Sequence, residues 1–242
     1  MRTTLLGLLA LGFLSATATA GNIMVINSGF ETPDLGSGGN AYGYVGTQTG
    51  GNGPISPSTP GIGWTFSSTN AGIAANSSNF GVVGAPNGNA DGGTSTVGQA
   101  GVVQVGDGTF NSANSTFIQQ VLHGFQTGTA TISFLAFGRS TLGPNTIDVY
   151  LDNSLLGSAT PPVGIFTAYS FVTNVSPGSH TLRFVGNNHL GFDKSSFIDN
   201  VDVVNTVPEP ATIALFGSAL LMCAGRRVLQ ARSKLFAART RA

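Results

Sequence analysis

Thr146-Ile147-Asp148-Val149-Tyr150-Leu151-Asp152-Asn153-Ser154 is the stretch whose reading decides the fold. Successive side chains of an extended strand point to opposite faces. Ile147, Val149 and Leu151 therefore share one face, and Asp148, Tyr150 and Asp152 the other. Asp152-Asn153-Ser154 then reads as a hairpin turn. Leu182 and Phe184 alternate with Thr181 and Arg183 in the same way. Further β-rich runs lie at 117–122, 129–137, 166–172, 180–185 and 196–204, each bounded by turn residues. Toward the N-terminus the predicted strands are short, at 22–26, 63–66 and 81–83. Residues 36–63 and 85–108 are dense in Gly, Asn, Ser, Thr and Pro and read as turns and long loops. There is no fixed-period repeat and no amphipathic helix within this region. The pattern predicts an all-β sandwich.

Composition narrows the setting. The chain has 242 residues, 35 of them glycine, and only 8% are charged. Average chains carry about 25% charged residues. So little charge protects a crowded cytosolic protein poorly against association, and suits an extracellular β protein better. The formal net charge of zero hides an asymmetry. Residues 21–209 hold three cations (Arg139, Arg183, Lys194) against ten acids, a net of −7, while 226–242 hold six cations and no acid. The acidic part excludes nucleic-acid binding, which needs a basic face for phosphates. The one cysteine, Cys223, lies in an apolar run near the C-terminus and reads as a small filler there. No internal disulfide is available to it.

Residues 1–20 have the three parts of a secretory signal peptide: Arg2, the apolar run 5–14, and the small-residue site Ala18-Thr19-Ala20. Cleavage is expected between Ala20 and Gly21.

The other end reads Val207-Pro208-Glu209-Pro210, then fifteen apolar residues, 211–225, then Arg226-Arg227. A spanning helix takes about 20 apolar residues, so this one is short. Snorkelling arginines and local thinning of the bilayer make up the difference. Apolar residues surround the whole helix rather than one face, as in a membrane span. The basic flank stays cytoplasmic, which leaves everything before Glu209 outside. Pro208 and Pro210 fix their own φ and keep the preceding residues out of the helical region, so this tripeptide is held extended. These parts, in this order, resemble the PEP-CTERM sorting signal. The resemblance covers 207–227. It implies recognition of Pro208, Glu209 and Pro210 by an exosortase, a membrane processing enzyme, with Arg226 and Arg227 as the stop-transfer charges. The basic tail 228–242 is longer than such signals usually carry. The expected location is transient anchoring in the inner membrane with the domain outside, then the cell surface or exterior.

A second resemblance covers most of residues 21–206. Its motifs are Asn27-Ser28-Gly29-Phe30-Glu31-Thr32-Pro33, Gly63-Trp64, 117–122, Ile132-Ser133-Phe134-Leu135-Ala136, and Phe197-Ile198-Asp199-Asn200-Val201. Together they are similar to the galactose-binding-like jelly roll found in several carbohydrate-binding modules. Asp199 has the parity of Phe197, Val201 and Val203. If that face is the core, a carboxylate points inward, which is costly unless neutralised. Calcium, bound by carboxylate and carbonyl oxygens, would neutralise it. The resemblance implies a structural calcium where the first and last strands meet, at Glu31 and Asp199, with Asn27 in support. The alternative is that Asp199 bonds to backbone amides, or that a bulge turns it away.

Other candidates follow from residue type. Trp64, Tyr42 and Tyr44 offer rings on which a sugar stacks, although a lone tryptophan after a Gly-rich loop is more often a core plug. His123, His180 and His189 lie on separate segments without zinc-site spacing. Ser140, His189 and Asp193 lack the strained Gly-x-Ser-x-Gly turn of a hydrolase. Asp91, Asp107, Asp148 and Asp152 are acids available for glycosidase work, but the sequence does not pair them. Gly61-x-Gly63 lacks the strand–turn–helix setting of a phosphate loop. The expected function is that of an exported, non-enzymatic surface or matrix protein, sorted through its tail and associated with exopolysaccharide or biofilm. The alternatives are a carbohydrate-binding module with a specific glycan ligand and, third, a polysaccharide hydrolase.

Overall fold

The computed structural model describes residues 19–44, 54–56, 58–67, 70–79, 81–86, 98–104, 116–140, 143–187, 194–208 and Met222. The chain divides into two compact units, residues 20–206 and residues 1–19 with 207–242. Nearly all described residues belong to the first. The signal-peptide residues before Thr19 lie outside the described residues. So do Glu209, Pro210, the apolar run 211–225 except Met222, Arg226, Arg227 and the tail 228–242. Among the described residues no helix is long and apolar enough to cross a membrane.

Among the described residues twelve strands form two antiparallel sheets. In chain order they are β1 (Thr19–Ile23), β2 (Tyr42–Tyr44), β3 (Thr65–Phe66), β4 (Ala71–Ala75), β5 (Gln99–Gln104) and β6 (Phe117–Phe125). Then come β7 (Gly128–Gly138), β8 (Ile147–Leu151), β9 (Ser154–Ala159), β10 (Thr167–Val175), β11 (Gly178–Gly186) and β12 (Ser195–Val207). One sheet runs β10-β7-β12-β5-β4-β2, with β1 also on β12; the other runs β3-β6-β11-β8-β9. The strands predicted at 117–122, 129–137, 146–151, 166–172, 180–185 and 196–204 correspond to β6, β7, β8, β10, β11 and β12. The hairpin at Asp152 joins β8 to β9, with Asp152 in the left-handed region at φ 55°.

The first half departs from expectation. Residues 81–83 are not a strand, and the strand predicted at 22–26 lies slightly earlier, as β1. β2 lies within the stretch read as loop at 36–63, and β5 within that at 85–108. β4 and β5 are rich in Ala and Gly because they are covered on both sides. A Cβ at Gly72 would fall 2.0 Å from the Gly43 carbonyl oxygen, and one at Gly101 would fall 2.6 Å from the Phe30 ring. Small residues are required where backbone and rings approach so closely.

The main core lies between the sheets. Phe134 of β7 meets Phe184 of β11 edge-to-face at 5.0 Å, and Trp64 packs on Phe30 in a stacked pair at 5.0 Å. Ile118, Leu122, Ile132, Val149, Leu182 and Val203 complete its centre. A second cluster lies on the far side of the seven-stranded sheet. It unites Phe137, Phe197, Val102, Ala100, Ala74 and Tyr44 with Val82 and Ala85 of the segment after β4.

Strand β12 serves both clusters. Phe197 pairs with Phe137, and Asp199 with Leu135, so both face the second cluster's side. The register then slips between Asp199 and Asp202, with Asn200 at φ 48°. Beyond this bulge Val203 pairs with Ile132 and faces the main core. The expectation that Asp199 shares a face with Val201 and Val203 is therefore corrected: the bulge breaks the alternation between them.

Candidate functional site

Glu31 and Asp199 are both fully buried. The Gln99 N–H donates to Glu31 Oε1 at 3.3 Å, and the Asn200 N–H donates to Asp199 Oδ1 at 2.7 Å. Ile198 pairs with Gly101, so Asp199 comes to the Gln99 end of β5, where Glu31 already sits. The loop carrying Glu31 is tied to the same point, because the Val201 N–H donates to Ser28 O. The structure thus brings both acids to one end of β5, and Asp199 has the amide bond and the bulge weighed as the alternative to a metal. Asn27 is occupied otherwise. Its side-chain amide donates to Thr32 O and Ile62 O, and its Oδ1 accepts from the Thr32 N–H. It clamps the turn. Among the described residues no three His, Cys, Asp or Glu side chains come together as a metal cluster.

Trp64 is 2% exposed. Its Nε1–H donates to Asn27 O at 2.8 Å, and its ring lies between Phe30 and Phe184. Both faces are covered by protein, so it fills the core. Tyr42 and Tyr44 meet edge-on at 6.1 Å at the end of the seven-stranded sheet, with Tyr44 buried and Tyr42 partly so.

The open polar surface with aromatic rings is elsewhere, on the outer face of the five-stranded sheet. Cross-strand pairing lines up Thr65, Gln119, Arg183, Tyr150 and Leu155, one from each strand. The next row contains Phe117, Val185, Asp148 and Ser158. These face outward because Ile118, Phe184, Val149 and Leu182 fill the core from the alternate positions. The Arg183 Nε–H donates to Gln119 Oε1 at 2.7 Å, and the guanidinium carbon lies 4.8 Å from the centre of the Phe117 ring. The planar group is therefore held across the sheet by an acceptor and a ring face. Phe117, Gln119, Tyr150 and Arg183 are all half-buried, ordered yet accessible. With strands about 4.8 Å apart, the row is about 19 Å long.

Asp148 is buried under this face and accepts hydrogen bonds from Ser158 and Asn187. Asp152 sits at the end of the sheet. Its Oδ1 accepts from the Thr181 N–H, and its Oδ2 pairs with His180 Nδ1 at 2.7 Å. His180 Nε2 reaches Ser176 O at 2.9 Å, and its ring packs edge-on to Phe125. The bond to Asp152 and that to Ser176 raise the His180 pKa above its ordinary value. Partial burial opposes the charged form of Asp152, but the His180 and Thr181 donors outweigh it and hold that pKa below the ordinary value. The two acids thus brace the fold rather than face each other across a cleft. Asp91, Asp107, His189 and Asp193 lie outside the described residues, while His123 contacts Ser179 Oγ.

Phe117, Gln119, Tyr150 and Arg183 were not singled out by sequence reasoning. The alternation placed Asp148 with Tyr150, and Thr181 with Arg183, but nothing in it says that β8, β11 and β6 are neighbours.

No protein-family model matches the chain, and no curated protein does. Solved structures with similar backbones include carbohydrate-binding β-sandwich modules. One is TmCBM61 in complex with β-1,4-galactotriose, at 12% identity and a TM-score of 0.38, covering 76% of this chain and 97% of that one. Another is the C-terminal CBM6 of LamC, a marine laminarinase from Zobellia galactanivorans, at 14% identity and 0.31, covering 45% and 81%. A third is a family 35 carbohydrate-binding module from Clostridium thermocellum, at 9% identity and 0.30, covering 43% and 86%.

Proposed function

We propose that the protein is an exported, non-catalytic carbohydrate-binding module whose glycan site is the outer face of the five-stranded sheet. The observation that carries this reading is the row Gln119–Arg183–Tyr150, with Phe117 beneath the guanidinium. Sugar rings present apolar C–H faces edged by hydroxyls. Half-buried aromatic rings beside fixed planar donors and acceptors match that chemistry. The row is long enough for a short oligosaccharide, and it contains no pair of acids poised for hydrolysis. Isothermal titration against a polysaccharide panel tests it. Selective binding is expected, with tenfold or greater loss, about 1.4 kcal/mol, in Tyr150→Ala and Arg183→Ala at unchanged melting temperature. Absence of binding to any glycan, or full affinity in both variants, would overturn it.

The same reading places the module on a surface or in an exopolysaccharide matrix, through a tail that an exosortase processes. The sequence Val207-Pro208-Glu209-Pro210, the apolar run and Arg226-Arg227 support this. Intact-mass analysis of protein recovered from the producing cells tests both ends. A mature species beginning at Gly21 and lacking 211–242 is expected.

A structural calcium at Glu31 and Asp199 belongs to the proposal. Two fully buried carboxylates at one end of β5, in a domain with three cations, fit a bound cation in charge. They would hold it and join the first loop to the last strand. Calcium titration that gives neither binding heat nor a rise in melting temperature removes the idea.

A further inference from the structure

Among the described residues β10 closes one end of the seven-stranded sheet and pairs with β7 alone. Its nine residues, Thr167-Ala168-Tyr169-Ser170-Phe171-Val172-Thr173-Asn174-Val175, run in unbroken register with β7, without a bulge. No backbone hydrogen bond leaves its outer edge among the described residues. Edge strands are ordinarily guarded by shortness, bulges, proline or lysine, because an open edge is a template for another strand. Among the described residues β10 has none of these guards. The opposite end of the sheet does: β2 is three residues long, and the Ile55 N–H bonds to Tyr44 O.

A second observation points to the same flank. β9 ends the other sheet and lies against β10, and the Tyr169 hydroxyl donates to Thr160 O between them. Val163 and Ile165, in the connection from β9, and Val172 of β10 are 49–65% exposed. From Asn153 to Ser179 the chain carries no charged residue, within a domain of net charge −7. Two copies of an acidic domain repel except where neither carries charge.

We propose that a second copy of the chain adds to β10, antiparallel, across a two-fold axis at Phe171, joining two seven-stranded sheets into one. That register is self-complementary, as a two-fold interface requires. Tyr169 meets Thr173 of the second copy and Ser170 meets Val172, pairs of aromatic, β-branched and hydroxyl residues that suit neighbouring strands.

The register gives a sharp test that is independent of any glycan. In the full chain with Cys223→Ser, the pair Ser170→Cys and Val172→Cys stands opposite itself across the axis. Mild oxidation of cells exporting this variant should give a disulfide-linked dimer. The pair Ala168→Cys and Val172→Cys is out of register and should give none. All three positions are exposed, so the fold tolerates the changes. In sedimentation velocity of the detergent-solubilised chain, Val172→Lys should weaken the dimer at least tenfold. No dimer from the in-register pair, equal cross-linking by both pairs, or a wild-type monomer throughout would overturn the proposal.

Discussion

Replacing Trp64 by phenylalanine separates a core tryptophan from a sugar-stacking one. The ring is 2% exposed, and its Nε1–H is the donor to the Asn27 carbonyl, 2.8 Å away. Phenylalanine keeps a ring against Phe30 but has no N–H. A buried polar group left without its partner costs about 1–3 kcal/mol. The lost volume adds about 1 kcal/mol, because the site collapses only partly. The total, about 2–4 kcal/mol, corresponds to a fall in melting temperature of roughly 5–15 °C for a domain of this size. Calorimetry or far-ultraviolet circular dichroism is the right assay, since Trp64 is the chain's single tryptophan and the substitution removes the fluorescence probe. Glycan affinity should stay within twofold of wild type. A variant that melts normally yet loses its ligand would refute the reasoning, because the ring would then be spent on the ligand rather than on the core.

Gly72→Ala should destabilise by about 3 kcal/mol, read by chemical denaturation, because the new Cβ would meet the Gly43 carbonyl oxygen and strand β2 would have to move. The His180–Asp152 pair should make stability pH-dependent in two directions. The raised His180 pKa contributes stability that is full below about 6.5 and is lost as pH rises through the folded value. The lowered Asp152 pKa contributes stability present above about 3.8 and lost as pH falls through the folded value. Thermal melts should therefore show a contribution largest between these limits that disappears in His180→Phe. Arg183→Lys should weaken glycan binding nearly as much as Arg183→Ala by calorimetry, because a lysine keeps the charge but not the planar fork.

Much of the second half of the sandwich was legible because strands such as β10 and β11 alternate between a core face and a wetter one. Ile147, Val149 and Leu151 announce β8, and Leu182 and Phe184 announce β11. β4 and β5 were not legible. Ala71-Gly72-Ile73-Ala74-Ala75 is buried at every position, so it shows no alternation, and its residues are small for reasons of approach rather than strand preference. Asp199 stood out because its parity set a carboxylate among apolar residues, and Glu31 entered only through the resemblance of its motif to the galactose-binding-like jelly roll. The bulge at Asn200 stood only as an open alternative, since a left-handed asparagine leaves the same letters in the sequence as an ordinary one. The outer row of the five-stranded sheet was hidden for another reason. Thr65, Gln119, Tyr150 and Arg183 are far apart along the chain, and only strand order makes them neighbours.

The thirteen-residue β12 runs straight into Pro208, where the chain leaves the sandwich. Any tension arriving from beyond that proline is directed along the strand. Ladder hydrogen bonds to β7 on one side and β5 on the other lie across this direction, so they are loaded together in shear rather than unzipped one by one. The bulge adds a mechanical stop, because sliding the strand by one residue would drag Phe197 and Val203 out of two different nests at once. A pull along β12 is thus met by two ladders and a lock at once.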